Sequence, residues 1–321
     1  MSNILNNKVF YSNNLIIQNI TSIFTHIAGI NSASTFPSGN IISVSDDQSI
    51  IIYDSINLNI IQHIQNAHDD WIKYVEFKDE NNFVTCSWDK NIKLWRKKDN
   101  KFQIYKTIKK AHDDTINKVI YFSNENLISC STDKTIKIWK ENNNNCFENI
   151  KTLTHSDYIG SLLYLEDKNI LISSGGDGTK FWNLKKNETD FNNINLSKSF
   201  QGTDCDLYGQ LCRLNEDIII VKGDKTPLLK LISISKKEII KEIDNEFDCY
   251  GICLIKNKGI FLVGGWGKNI RVYRNDTYDY IQTIYNAHNE WIYGFIDLKN
   301  GKFASFSVDN KIRIWGFLND Q

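Results

Sequence analysis

The chain has 321 residues, 41% hydrophobic and 12% aromatic, which supports a packed core and excludes a disordered composition. Thirty-eight basic residues balance 38 acidic ones, so bulk charge gives no support to a nucleic-acid polyanion as the partner. Nothing approaches the roughly 18 uninterrupted apolar residues of a membrane-spanning helix.

The opening MSNILNN has no basic stretch leading into a long apolar one. The seven cysteines include no Cys-x-x-Cys pair. Together these point to reduced thiols in a protein of the cytoplasm or nucleus, not a secreted one, with no metal and no cofactor.

In chain order, the first periodic segment is IIQNITSIF (16–24), an apolar strand with no partner nearby in sequence. INSASTF (30–36) and NIISVSDDQSIIIYD (40–54) follow. Next comes AHDDW (67–71) with FVTCSWDKNIKLW (83–95), then AHDDT (111–115) with LISCSTDKTIKIW (127–139). Each β-rich run alternates apolar and polar residues, is dominated by Val, Ile and Phe, and has strand length. NNNN at 142–145 reads as an exposed loop tip, and 184–198 as a long mobile loop. DLYGQLCRL (206–214) and DCYGICLI (248–255) align with EWIYGFIDL (290–298), and FASFSVDNKIRIW (303–315) closes the series.

The spacing is regular. His68 to His112 is 44 residues, His112 to His155 is 43, and His155 to His288 is 133, close to three further units. Seven copies result, each reading as four strands with no helical period. In three of them a histidine precedes an aspartate by 21 residues, and that aspartate precedes a tryptophan by six.

On these motifs the sequence resembles the WD-repeat family. The family's Gly-His is Ala-His here at Ala67, Ala111 and Ala287, and its closing Trp-Asp is reduced to Trp followed by Arg, Lys or Gly. The resemblance covers 15–321 and implies an all-β fold, a single seven-bladed β-propeller. Residues 1–14 are an N-terminal extension. The blades are expected near 25–58, 59–100, 101–146, 147–195, 196–237, 238–278 and 279–321. The last copy ends at its third strand, Trp315, so the strand in 15–24 is expected to complete it and close the ring.

Histidine, serine and aspartate together suggest a hydrolytic triad. A catalytic site is built once, however, whereas these sets recur around a ring. The resemblance implies structural tetrads instead: His68, Ser87, Asp89 and Trp95; His112, Ser131, Asp133 and Trp139; His288, Ser307, Asp309 and Trp315. Blade 4 keeps His155, Asp177 and Trp182 with Gly175 at the serine position. Blade 1 has Ser45, Asp47 and Tyr53, and blade 6 has Gly265, Gly267 and Tyr273. Blade 5 keeps only Asp224, with Pro227 where its third strand should run, so blades 5 and 6 are expected to be the least regular.

The histidine loops and the aspartate turns must meet, so they share one face, the top. Four tryptophans lie in third strands. The other four, Trp71, Trp88, Trp266 and Trp291, map to the top of blades 2, 6 and 7. They are either packing over blade junctions or a binding surface. The surrounding loops carry Asp69, Asp70, Asp113, Asp114, Asp157, Asp204, Asp206, Asp248 and Glu290, with Tyr158 among them and Lys90 and Lys134 diluting the charge. The leading expectation is a non-enzymatic scaffold or adaptor, a subunit of a larger complex. Its top face would bind a partner protein or short peptide, with the acidic loops favouring a basic one. Two alternatives stay open: a ribosome- or RNA-associated WD-repeat factor, and an enzyme or enzyme-complex subunit. The ribosome-associated scaffold of the family carries a basic Arg-Asp-Lys turn in blade 1. This chain has Asp46-Asp47-Gln48 there, which weighs against docking on rRNA.

Overall fold

A computed structural model describes residues 15–318 apart from 25, 123–125, 185–194, 201–202, 204–209, 223–226 and 299–300. Among the described residues the strands form seven four-stranded antiparallel sheets, in all but one of which neighbours in sequence are neighbours in space. One sheet breaks that rule. Ile17–Phe24 pairs with Lys311–Phe317, from Ile17 opposite Phe317 to Phe24 opposite Lys311, and so supplies the outer strand of blade 7. The ring is thereby closed by the first described strand, which covers the edge that Lys311–Phe317 would otherwise expose. No helix among the described residues is long and apolar enough to cross a membrane.

Why these runs become blades follows from their two-sided apolar pattern. Second strands such as Ile41–Ser45 and third strands such as Ile50–Tyr53 are buried at every position. A sheet buried on both faces needs a neighbour on each side. The core therefore lies between blades. Ile42, Val44 and Ile52 of blade 1 pack against Ile72, Val75, Phe83 and Trp95 of blade 2, and Phe306, Ile312 and Ile314 of blade 7 pack against Ile30, Ile41 and Tyr53. Third-strand aromatics stack on the second strand: Trp95 on Phe83 at 5.6 Å and Trp315 on Phe303 at 6.0 Å. Tyr273 takes the same place in blade 6, stacked on Phe261 at 5.0 Å.

Innermost strands begin Ile30–Thr35, Ile72–Asp79, Ile116–Phe122, Ile159–Leu165, Cys249–Ile255 and Ile292–Asp297 in blades 1 to 4, 6 and 7, and each shifts register just after its first residue. The bulged residues are Asn31, Lys73, Asn117, Gly160, Tyr250 and Tyr293. A bulge leaves one residue out of the ladder and re-aims its side chain. Here it does so at one end of the central channel.

Three expectations are corrected. Blade 6 is regular, with four full strands at Cys249–Ile255, Ile260–Gly265, Ile270–Arg274 and Tyr280–Ile284. Blade 5 has a regular third strand too: Leu228–Ser233 pairs along its length with Ile218–Lys222 and Glu238–Asp244. Pro227 sits just before it, where no ladder N–H is required, and its carbonyl accepts from Asn245 N. What is short in blade 5 is the inner strand, Cys212–Arg213. Finally, the loop expected over 184–198 is narrower among the described residues, because Leu184 is buried and Asn195–Phe200 is the outer strand of blade 4. Residues 185–194 and Asp224 lie outside the described residues.

Candidate functional site

The histidine clusters decide whether this face holds chemistry. In blade 2, His68 Nδ1 lies 2.7 Å from Asp89 and Nε2 lies 2.8 Å from Thr85 Oγ1, which also accepts from Trp95 Nε1 at 2.8 Å. The hydroxyl is Thr85, not Ser87. The same correction holds elsewhere. Ser129 rather than Ser131 joins His112 to Trp139, and Ser305 rather than Ser307 joins His288 to Trp315. In blade 4, Ser173 joins His155 to Trp182, so Gly175 removes nothing from that set. The reason is strand geometry. Residues two apart share a face, and the indole, two pairs further from the turn, reaches only the nearer hydroxyl. Ser87, Ser131 and Ser307 do another job at the strand end. Each donates to the carbonyl of Asp70, Asp114 or Glu290 and accepts the N–H of Asp89, Asp133 or Asp309.

Sequence reading missed a fifth set. His26 bonds Asp47 at 2.9 Å and Ser43 at 2.8 Å, and Ser43 lies 3.3 Å from the Tyr53 hydroxyl. The signal was there, since His26 precedes Asp47 by the same 21 residues. In blade 6, Tyr273 donates instead to the buried Asn245.

The electrostatics fix the proton positions. Burial lowers the pKa of His68, His112, His155 and His288 despite their aspartates. Each is therefore a neutral ring whose Nδ1–H donates to the carboxylate and whose Nε2 accepts from the hydroxyl. Burial alone would raise the Asp89 carboxyl, but hydrogen bonds from His68 and from the Asp69 and Asn91 N–H groups outweigh it and hold it at about 2. Every donor and acceptor is used, and the histidines are buried. A substrate has no access to these sets.

The top rim is different. Trp71 stacks on Trp88 within blade 2, centroids 4.4 Å apart and planes 28° apart. Trp266 of blade 6 stacks on Trp291 of blade 7, also at 4.4 Å and at 22°. The second pair bridges two blades. Trp71 is 37% exposed and Trp266 55%, whereas Trp88 and Trp291 are half-buried beneath them. Packing and display are thus divided between the members of each pair. Asp157 and Glu290 are exposed, and Asp70, Asp114 and Tyr158 are half-buried. Lys90 and Lys134 do not dilute the acidic rim freely. Their ammonium groups are committed to the Asp113 and Ser156 carbonyls at 2.7 and 3.1 Å. Lys268 likewise lies 3.4 Å from Glu290. Asp204 and Asp206 lie outside the described residues.

Beneath the rim sit the bulged residues. Asn31 donates to Ile72 O and Asp46, and Asn117 to Ile159 O and Thr132, each stitching its inner strand to the next blade. Lys73, 4% exposed, has its ammonium 5.5 Å from the Trp88 ring and 5.9 Å from Tyr293. Burial lowers it to about 7 while Asp46 opposes the shift. Lys73, Tyr250 and Tyr293 were not singled out by sequence. They occupy one aligned column of the repeat, but only the bulge turns that column toward the mouth.

Comparison with known proteins agrees with this architecture. The family model described as the second β-propeller of WD repeat-containing protein 75 matches residues 43–221, more than half of the chain. A second, the WD domain, G-beta repeat, matches 18–54. The chain belongs to the WD-repeat family. Among curated WD-repeat relatives, Lissencephaly-1 homolog 1 of Paramecium tetraurelia is 34% identical over 84 residues, 26% of this chain and 21% of the relative. DDB1- and CUL4-associated factor 10 is 33% identical in Homo sapiens and 32% in Xenopus tropicalis, over 60 residues, 18% of this chain and 11% and 13% of the relatives. The matched segments span about a fifth or less of those proteins. A likeness this local carries the repeat but not the whole protein's partners.

Proposed function

We propose that this WD-repeat chain is a non-enzymatic interaction scaffold that binds a protein or peptide through the top face of the propeller, as a subunit of a larger assembly. One observation carries the reading: two tryptophan stacks on one face, each with a half-buried ring supporting an exposed one. Large, rigid, partly exposed aromatics are what binding hot spots are made of. The fully satisfied, inaccessible histidine sets support the non-enzymatic part. The names of the matched relatives, one an associated factor of DDB1 and CUL4, fit a chain that works by association.

The test is affinity capture of the tagged chain from cells of its source in mild salt, beside a Trp71→Ala/Trp266→Ala variant. Both residues are exposed, so the variant is expected to keep the wild-type circular dichroism spectrum. A stoichiometric partner held by the wild type and lost by the variant is the expected result. Equal retention by the folded variant would refute top-face binding, and absence of any partner would refute the scaffold reading.

A further inference from the structure

The aromatic side chains at the channel mouth form one continuous run. Trp291, beneath Trp266, lies 6.1 Å from Tyr250, which meets Tyr293 edge-on at 6.0 Å. Tyr293 then meets the Lys73 ammonium, Lys73 meets Trp88, and Trp88 meets Trp71. Six rings from blades 6, 7 and 2 are thus joined through the buried Lys73 side chain. Indoles are exposed only at the two ends, Trp266 and Trp71.

We propose that this ribbon receives an extended segment of a partner that carries two cationic side chains separated by a neutral spacer, one stacking on Trp71 and the other on Trp266. The inference rests on the top-face reading and adds the chemistry of the occupant. Three observations support it. An exposed indole face attracts a guanidinium or ammonium, more so where an acid stands beside it. Asp69 and Asp70 immediately precede Trp71, and Glu290 immediately precedes Trp291, on which Trp266 stacks. At the rim Asp69, Asp70, Asp113, Asp114, Asp157, Asp248 and Glu290 outnumber Lys90, Lys134 and Lys268, so the net charge of these residues is negative. Lys268–Glu290 is an exposed pair that an incoming cation exchanges at little cost. The protonated fraction of Lys73, in the middle of the ribbon, disfavours a third cation there, hence the neutral spacer.

Selection of a displayed random-peptide library on the folded full-length chain tests this, followed by fluorescence-anisotropy titration of the enriched peptides. Enriched sequences should carry two Lys or Arg residues around uncharged ones and bind more weakly as salt rises. Trp266→Ala and Trp71→Ala should each weaken them about tenfold. Lys73→Met, which keeps a long apolar stem in the buried position, should instead admit a basic residue into the spacer. Enrichment of acidic or purely apolar peptides, binding indifferent to both tryptophans, an unchanged spacer preference in Lys73→Met, or no enrichment would each overturn the proposal. Should affinity capture still yield a partner lost on Trp71→Ala/Trp266→Ala, the top-face reading would stand and only the cationic assignment would fall.

Discussion

Replacing Thr85 with valine removes a hydroxyl and keeps the β-branched shape. Thr85 is wholly buried, with His68 at 1% and Trp95 at 2% exposure, so water cannot take the place of the lost group. The Trp95 Nε1–H donor and the His68 Nε2 acceptor are both orphaned. At about 1–3 kcal/mol for each unsatisfied buried group, Thr85→Val should cost about 2–6 kcal/mol. Thr85→Ser keeps the hydroxyl, as blades 3, 4 and 7 do naturally, and should cost at most ~1 kcal/mol for a lost methyl. Ser87→Ala removes a hydroxyl bonded to the Asp70 carbonyl and the Asp89 N–H, with a cost of about 1 kcal/mol. Urea denaturation measures all three. The Trp95 indole N–H resonance provides a second reading, because it should move in Thr85→Val and stay in Ser87→Ala. If Thr85→Val costs no more than Ser87→Ala and the indole resonance is unmoved, the tetrad described above is wrong.

Gly265 and Gly175 stand where Ser87 stands in blade 2, and a Cβ on either would lie 1.9 Å from a backbone carbonyl, that of Asp248 or Tyr158. Alanine at either position should cost upwards of about 2 kcal/mol. Gly259→Ala, with open space and only a φ of +64° to strain, should cost about 1 kcal/mol by the same denaturation assay. The pH dependence of stability has a fixed sign. Four histidines have folded pKa values below their ordinary 6.5, so the unfolded chain binds more protons there, and stability should fall as pH drops below 6.5. The depressed aspartates, Asp89 at about 2 among them, add a second loss below pH 3.8. Thermal midpoints across pH 3–8 that stay flat or rise toward acid would contradict this. Deleting residues 1–24 should expose the Lys311–Phe317 edge, broaden the unfolding transition and produce concentration-dependent association in light scattering. A monomer with an unchanged midpoint would show that closure adds nothing.

Much of this protein could be read before any fold was in hand. The 43- and 44-residue spacings, the alternating Val/Ile/Phe runs and the orphan strand at 16–24 set the blade number and the manner of closure, because a sheet buried on both faces must find neighbours. The four rim tryptophans were also legible, from their offsets to histidine and aspartate. Other features were not. Which of two serines meets the indole depends on how far a side chain reaches along a strand, and spacing by two leaves that undetermined. That Pro227 precedes a strand rather than interrupts one depends on a ladder register. The joining of Lys73 to Tyr293 and Trp88 depends on a bulge in each inner strand and on ring closure, which brings blade 7 to blade 2 across residues more than 200 apart in sequence. Periodicity is a local property of the chain and is carried by the sequence alone. The channel mouth belongs to the closed ring, and only the tertiary structure decides which side chains meet there.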